Sequence, residues 1–270
     1  MRIQHNIAAL NTHRNLAANN TATGKDLEKL SSGYKINRAG DDAAGLSISE
    51  KMRGQIRGLD MAQKNAQDSI SLIQTAEGGL NETHAILQRM RELAVQSAND
   101  TNVSTDRTAL NEEVTALKEE ITRIATDTQF NTQALLNGSF SSKVFHIGAN
   151  SGQSITLTIS NMDATALSVS GVSISTQSGA DSAITTVNTA LEKVSTQRSA
   201  LGAVQNRLEH TISNLGATSE NLTAAESRIR DTDMAKSMMN FTKNNILMQA
   251  AQSMLSQANQ QPQGVLQLLG

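Results

Sequence analysis

Apolar residues recur at intervals of three, four and seven along this chain, and the recurrence extends into both ends. A period near 3.5 residues keeps one side of an α-helix against another helix over its whole length. Neither terminal helix can bury its apolar stripe alone, which is typical of a bundle protein or of a polymer subunit whose termini pair. The candidate seam, which would serve helix pairing in a bundle or polymerisation, consists of Ile3, Ile7, Leu10, Met234, Phe241, Met248, Leu255, Leu266 and Leu269.

Polar residues interrupt the C-terminal stripe at regular places. Asn245, Gln252 and Asn259 alternate with its apolar positions. A polar side chain inside such a stripe fixes the register of the paired helices, with some loss of stability. The stripe is also rich in methionine, which serves equally in a core and at a binding face. Both features favour an ordered assembly over a non-specific apolar contact.

The composition favours long helices and limits the choice of partners. The 270 residues include one proline, Pro262, and only 2% aromatic residues, so few positions interrupt a helix. The net charge of -2 provides no field that would attract nucleic acid or an acidic membrane. No stretch is long and apolar enough for a membrane span. We therefore expect neither nucleic acid nor a membrane among the partners.

Helical spacing divides the chain into five helices joined by short turns. Asp41 or Asp42 is expected to cap the second helix, and Thr105 or Asp106 the third. Glycines at 54, 58, 78 and 79 each weaken the second helix by on the order of 1 kcal/mol relative to alanine, so packing must stabilise it. The predicted ranges are about 3–30, 42–99, 105–128, 183–225 and 231 onward.

One region changes to a period of two. Ile155 and Leu157 alternate with threonine, and Val172 and Ile174 alternate with serine. This pattern predicts two or three short strands within Val144–Ile174, and no other β region is expected.

The predicted fold class is mainly α: a long-helix bundle with terminal coiled-coil helices and one small β-hairpin region. Residues 1–41 and 226–270 are expected to form a discontinuous terminal coiled-coil domain, in which the two helices run antiparallel. Residues 42–225 are expected to form the helical bundle domain, with the β-hairpin inserted at about 140–176.

The residues present do not predict catalysis. The five histidines lack the spacing of a metal site, and capping explains Asp41 and Asp42 better than cation binding does. No phosphate-binding, dinucleotide-binding or serine-nucleophile motif occurs. We expect no catalytic residue, no metal and no cofactor, and therefore a protein that is not an enzyme.

Five segments resemble bacterial flagellins in sequence and in order. They are Met1–Asn11, Leu30–Leu46, Leu201–Leu208, Asn221–Asp231 and Gln260–Leu269. The resemblance covers roughly residues 1–136 and 184–270. Because only about 47 residues lie between these parts, the chain is identified as a short flagellin without the large outer domains of many members.

The resemblance implies a structural subunit that polymerises into the flagellar filament for motility. Family members stack their terminal helices into an inner tube and are exported unfolded by the flagellar type III apparatus, which agrees with the absence of a recognisable signal peptide. The implied location is extracellular, in the flagellum. The implied partners are further copies of the chain, an export chaperone, and hook-associated and cap proteins. We expect the terminal stripes to be partly disordered in the monomer and to order on polymerisation.

The resemblance also implies recognition by a host receptor. Leu87–Asn99 is similar to the segment read by the flagellin-sensing Toll-like receptor, and Arg89, Leu93 and Glu113 match its main contacts by position. The same face serves subunit stacking in the family's filaments. Bundle packing explains Leu87, but it explains exposed Arg89 and Glu113 less well.

Two alternatives differ in function. A hook–filament junction protein shares similar termini but is present in few copies. A secreted enzyme built on a flagellin frame would need a catalytic insert, and residues 137–183 are too short and too rich in Ser, Thr and Gly to supply one.

Overall fold

The computed structural model describes residues 6–269, with side chains described as far as Gln261. Five helices dominate the described chain, and the predicted fold class is confirmed. The helices are α1 (Ile7–Ser32), α2 (Ala43–Ala98), α3 (Ser104–Asp127), α4 (Gln177–Arg230) and α5 (Met234–Leu269). The strands are β1 (Gln129–Phe130), β2 (Gln133–Ala134), β3 (Lys143–His146) and β4 (Ser154–Leu157).

The chain divides into two compact units. The terminal unit comprises the chain up to Gly54 and from Asn221 onward, so it holds α1, α5 and the adjoining ends of α2 and α4. The bundle unit, Gln55–Glu220, holds the rest of α2 and α4 together with α3 and both strand pairs.

The core of the bundle unit lies along an apolar heptad stripe of α2. Its buried members are spaced seven residues apart, as a helix that keeps one side against its neighbours requires. They are Leu59, Ala66, Ile73, Leu80, Leu87 and Ala94. From Ala66 onward the stripe shares one apolar cluster with Val114 and Ile121 of α3 and Val187, Val194, Leu201 and Leu208 of α4. The bundle is therefore stabilised mainly by interhelical burial of aliphatic side chains.

The predicted cap of α2 is confirmed at Asp42. Its Oδ1 accepts a hydrogen bond from the Gly45 backbone N–H at 2.9 Å, which satisfies one of the free donors of the first turn. Asp41 has a separate role in the preceding turn, where Oδ2 accepts from the N–H groups of Arg38 and Asn37 at 3.1 and 3.2 Å. These bonds, that of Arg38 foremost, lower the pKa of Asp41.

The predicted cap of α3 is wrong in position. The helix begins at Ser104, and both Thr105 and Asp106 lie inside its first turn. Asp106 still contributes, because its Oδ2 accepts from the Val103 backbone N–H at 3.2 Å. It acts as the acidic residue of the first turn, which reaches back to the residue before the helix.

The predicted hairpin is present as β3 and β4. The strands are antiparallel, with Phe145 opposite Ile155 and Lys143 opposite Leu157. Ile155 and Leu157 are buried while Ser154 and Thr156 are exposed, so one side of the hairpin strand faces the bundle core, as the alternation in the sequence indicates.

A second strand pair, β1 with β2, was not expected. It is joined by Asn131 and Thr132, whose φ angles are 48° and 64°. Two successive residues in the left-handed region make the tight turn that joins antiparallel strands, and glycine usually occupies the second of these positions. Because threonine stands at 132 in place of glycine, the sequence lacks the usual signal for this turn. The two-residue strands are also too short to show a period.

The predicted strand at Val172 and Ile174 is wrong. Both side chains are buried, but no strand pairs with this segment, because side chains of the helices bind its backbone instead. Lys118 Nζ donates to the Val172 carbonyl at 2.9 Å. Asn111 Oδ1 accepts from the Ile174 N–H at 2.9 Å, and Ser97 Oγ donates to the Ile174 carbonyl at 2.6 Å. The segment is a helix-bound strap, which we define as residues 163–176.

The start of the strap is fixed in the same way. Asp163 Oδ1 accepts from the Ala166 N–H at 2.7 Å, and this bond lowers the pKa of Asp163 against the opposing effect of partial burial. Lys193 Nζ of α4 donates to the Ala166 carbonyl at 3.0 Å. The buried backbone of the strap is thus satisfied by α2, α3 and α4.

Of the glycines at 54, 58, 78 and 79 of α2, two allow close packing. A Cβ at Gly79 would lie 2.9 Å from both Leu136 Cδ1 and Thr128 Oγ1. A Cβ at Gly58 would lie 3.0 Å from the Ala149 Cβ. A Cβ at Gly54 or Gly78 would meet no neighbouring segment of the described chain within 4 Å, so packing among the described residues does not require glycine at these two positions.

We expect Gly79→Ala to lower the free energy of unfolding by about 1–3 kcal/mol, because the added methyl group overlaps Leu136 in a packed core. Gly78→Ala, at the neighbouring open position, should raise it by about 0.5–1 kcal/mol. Urea unfolding followed by circular dichroism measures both. Equal effects of the two substitutions would contradict the close approach at Gly79.

Candidate assembly surface

α1 and α5 pair along their lengths within one chain. In the described part of α5, the side chains with reduced exposure are Ser237, Phe241, Asn244, Asn245, Met248, Ala251, Leu255 and Ala258, and apart from Asn245 they recur every three or four residues. On α1 the same spacing is shown by Ala9, Thr12, Leu16, Asn19, Thr23, Asp26 and Leu30, and Ala22, Glu28 and Lys29 also have reduced exposure toward the end of the helix. No side chain of α1 is buried, and much of its covered side is polar. The pairing therefore buries little apolar surface for its length.

Two side-chain hydrogen bonds set the register of this pair. Asn6 Nδ2 donates to the Ala258 carbonyl at 2.7 Å, and Asn244 Nδ2 donates to Asp26 Oδ2 at 2.8 Å. Because the start of α1 meets the far part of α5, the two helices run antiparallel, as predicted. The asparagine that bonds across the pair is Asn244, next to the predicted Asn245, whereas Gln252 and Asn259 are exposed.

The predicted polymerisation seam falls on two different surfaces. Phe241, Met248 and Leu255 are half-buried on the side of α5 that faces α1. Ile7, Leu10 and Met234 are exposed by 56%, 63% and 49%. Ile3, and the side chains of Leu266 and Leu269, lie outside the described residues.

A second apolar stripe of α5, the outer stripe, was not predicted from the sequence. It consists of Met239, Ile246, Leu247 and Met254, which are exposed by 66%, 60%, 41% and 57%. At about 100° per residue, Met239 and Ile246 lie roughly opposite Phe241 and Met248. The signal was present in the sequence, since Met239 and Ile246, and likewise Leu247 and Met254, are seven residues apart.

A polar corner joins the helix ends of the terminal unit. Tyr34 and Asp231 form an isolated antiparallel bridge. Around it, the Lys35 N–H donates to the Arg230 carbonyl at 2.7 Å, and the Thr232 N–H donates to the Gly33 carbonyl at 2.9 Å. The end of α1 is thereby held against the turn between α4 and α5.

Arg230 is the central side chain of this corner. Its guanidinium lies 4.9 Å from the centre of the Tyr34 ring, a cation–π distance. Nη1 also donates to Glu50 Oε1 on α2, and the Arg230 side chain is only 12% exposed. One residue therefore links the ends of α1 and α4 to the start of α2.

Arg89 and Glu113, two of the predicted receptor contacts, form an exposed ion pair between α2 and α3. Arg89 Nε donates to Glu113 Oε1 at 2.9 Å, and Nη1 donates to Glu92 Oε2 at 3.2 Å. The bond to Glu113 is the main cause of the raised pKa of Arg89. Leu93 differs, since it is 1% exposed and belongs to the bundle core. The structure thus brings Arg89 and Glu113 together at the surface but not Leu93.

Within the described residues, the side chains form no group of three or more that could hold a metal ion. Over the same part of the chain, no helix is long and apolar enough to span a membrane.

Comparison with known proteins agrees with a helical framework built for assembly. The family model described as "Bacterial flagellin N-terminal helical region" matches residues 3–141. The model described as "Bacterial flagellin C-terminal helical region" matches residues 184–269. Together these regions hold the described helices except the first turns of α4.

Similar proteins match over their whole lengths. A flagellin of Halalkalibacterium halodurans is 60% identical, and a flagellin of Bacillus subtilis is 55% identical, each with 100% of both chains covered. A crystal structure of Bacillus cereus flagellin is 34% identical with a TM-score of 0.50, and the match covers 60% of this chain and 94% of that one.

The fold and these matches define a structural protein of helical architecture. The chain belongs to the bacterial flagellin family, as a short form, and is a structural subunit of the flagellar filament.

We expect Arg230→Ala to loosen the corner, because it removes both the stacking on Tyr34 and the bond to Glu50. Hydrogen exchange at the backbone N–H groups of Lys35 and Thr232 should become about tenfold faster or more. Arg228→Ala, an exposed arginine of the same helical turn, is the matched control and should leave both rates unchanged. Unchanged rates in Arg230→Ala would show that the backbone bridge holds the corner by itself.

Proposed function

We propose that the chain polymerises by covering the outer stripe of α5 with terminal helices of neighbouring copies. The observation that carries this proposal is that α5 has apolar side chains on two opposite sides and α1 covers one of them. A contiguous exposed apolar stripe of this kind is typical of an interaction surface. Exposed Ile7 and Leu10 of α1 add apolar surface that the chain itself leaves uncovered.

The weak pairing of α1 with α5 supports ordering on assembly. α1 has no buried side chain, and isolated helices are marginal in water unless an apolar face is packed. Each side chain of the outer stripe that becomes fully buried contributes about 1.5–3 kcal/mol. Repetition over many copies makes the polymer the state in which the terminal helices are stable.

We expect Ile246→Asp to abolish filament growth, because assembly would have to desolvate a carboxylate within an apolar contact. Ile246→Leu, which keeps the stripe apolar, is the matched control and should grow normally. Seeded elongation followed by light scattering and electron microscopy measures both variants. Circular dichroism of the monomers checks that the bundle unit is intact.

Removal of α5 provides an independent test. A chain lacking residues 231–270 should keep a folded bundle unit and fail to polymerise. Filaments formed by that chain, or by Ile246→Asp, would contradict the assignment of α5 as the assembly element.

For the layers of the filament, we propose that residues 1–41 and 226–270 form the inner coiled-coil layer and that residues 42–225 surround it. The predicted seam residues would then act in two groups, with Phe241, Met248 and Leu255 within a chain and Ile7, Leu10 and Met234 between chains. Ile3, Leu266 and Leu269 are assigned to the same inner layer.

Export and the remaining partners follow from the uncovered apolar surface. An exposed stripe needs protection before assembly, which supports binding of an export chaperone to α5, secretion by the flagellar type III apparatus and an extracellular location. Hook-associated and cap proteins would cover the same surface at the two ends of the polymer. This role is structural, and we propose no catalytic activity.

The extent of growth distinguishes a filament subunit from the alternative, a hook–filament junction protein. A filament subunit elongates without limit on seeds at sufficient concentration, whereas a junction protein adds a few copies and stops. The full-length similarity to flagellins at 60% and 55% identity favours the filament subunit.

We further propose that the monomer is recognised by the flagellin-sensing Toll-like receptor through Arg89 and Glu113. The two side chains form one exposed charged surface that presents both signs, which suits complementary charges on a partner. Leu93 contributes from beneath by holding α2 in the bundle. The same surface would be covered by stacking in the filament, so recognition would be confined to monomers.

We expect Arg89→Ala and Glu113→Ala each to lower signalling by about tenfold or more, as truncation at the centre of an interface does. Arg123→Ala is the matched control, because Arg123 also forms surface ion pairs, with Glu120 and Asp127. Purified monomers are assayed on reporter cells that express the receptor. Absence of signalling by the unmodified monomer would end the proposal.

A further inference from the structure

The methionines of the described chain include exposed, half-buried and buried side chains. Met239 and Met254 of the outer stripe are exposed by 66% and 57%. Met90 and Met162 in the bundle unit are exposed by only 1% and 4%. Met234 and Met238, elsewhere on α5, are exposed by 49% and 52%. Met61 on α2 is exposed by 55% but lies outside the terminal unit. The chain therefore contains its own matched set of accessible and inaccessible thioethers.

Exposure decides the reactivity of a thioether toward a peroxide. The sulfur lone pair attacks one peroxide oxygen, the O–O bond breaks, and the S–O bond of a sulfoxide forms while water leaves. The sulfur is oxidised by two electrons and the peroxide is reduced by two. The product is a polar side chain in place of an apolar one.

We propose that Met239 and Met254 are oxidation sites that decide whether a monomer can join the polymer. The inference rests on the assembly role proposed above for the outer stripe. Each sulfoxide places an acceptor oxygen in a surface that must lose water on assembly, and a buried acceptor without a donor opposes that step. Assembled copies cover the same thioethers, so the filament protects them while the free monomer exposes them.

The experiment treats purified monomer and preformed filaments with hydrogen peroxide and maps sulfoxides by peptide mass spectrometry. In the monomer, Met239 and Met254 should be oxidised before Met90 and Met162. In filaments, the oxidation rate of Met239 and Met254 should be lower by a factor of about ten or more, because the sulfur is no longer accessible. Equal rates in monomer and filament would overturn the proposal without recourse to any variant.

Seeded elongation then measures the consequence for assembly. The concentration of treated monomer that gives the same growth rate as untreated monomer should be higher by a factor of about ten or more. Met234→Leu and Met238→Leu are introduced into every chain, so that the other exposed thioethers of α5 are removed. In that background, the added pair Met239→Leu with Met254→Leu should resist the treatment, whereas added Met61→Leu should be inhibited as the background chain is. Repair by methionine sulfoxide reductase with dithiothreitol, which is oxidised to its disulfide as water forms, should restore growth.

The outcomes separate the two proposals. Normal growth of monomer oxidised at both positions, or equal inhibition of the double leucine variant, would overturn the oxidation proposal alone. Failure of untreated monomer to elongate would overturn the assembly role and this inference together.

Discussion

α5 has two apolar sides, and the chain supplies one helix to cover them. α1 lies against Phe241, Met248 and Leu255, while Met239, Ile246 and Met254 remain exposed on the other side. Burial of apolar surface is the main source of helix stability in water. In a single chain, only one of the two apolar sides of α5 is covered. Association with further copies, which the filament subunit carries out, is the direct way to cover the other.

The terminal unit depends more on specific polar contacts than on burial. Asn244 bonds to Asp26, and Arg230 is stacked on Tyr34 and bonded to Glu50. Such contacts fix register and direction while adding modest stability. The bundle unit has the opposite balance, with an aliphatic stripe on α2 packed against α3 and α4. The bundle unit is thus stabilised mainly by burial, whereas the terminal helices are held by specific contacts that each add modest stability.

Sequence spacing predicted the existence of all five helices because a period near 3.5 is repeated many times in each. The range of α4 was predicted too short, since the helix begins six residues before and ends five residues after the predicted 183–225. The ranges of α2 and α3 differ from the predictions by one residue at each end. Short elements were predicted poorly. β1 and β2 contain two residues each, too few to show a period, and Val172 and Ile174 alternate as a strand would while Lys118, Asn111 and Ser97 bind their backbone. A period of two reports which side chains are buried, and it carries no information on what the backbone bonds to.

The residues of the candidate assembly surface were likewise predicted from the sequence only in part. Spacing in the sequence identified the apolar positions of α5 that face α1, and motif similarity identified Arg89 and Glu113, which lie 2.9 Å apart in the structure. The outer stripe was not predicted, because its apolar residues have the same seven-residue spacing as the stripe that faces α1. The spacing alone does not separate two such stripes on one helix. Arg230 was not predicted either, because its importance comes from Tyr34 and Glu50, which are remote from it along the chain.

By itself, the sequence determined the helices, their apolar stripes and the family, because all three are carried by local spacing and by contiguous motifs. Tertiary structure alone decided which stripe α1 covers, which glycines of α2 permit close packing, and which side chains bind the strap. These depend on distances between segments remote in the chain, and a repeat every seven residues is compatible with more than one partner.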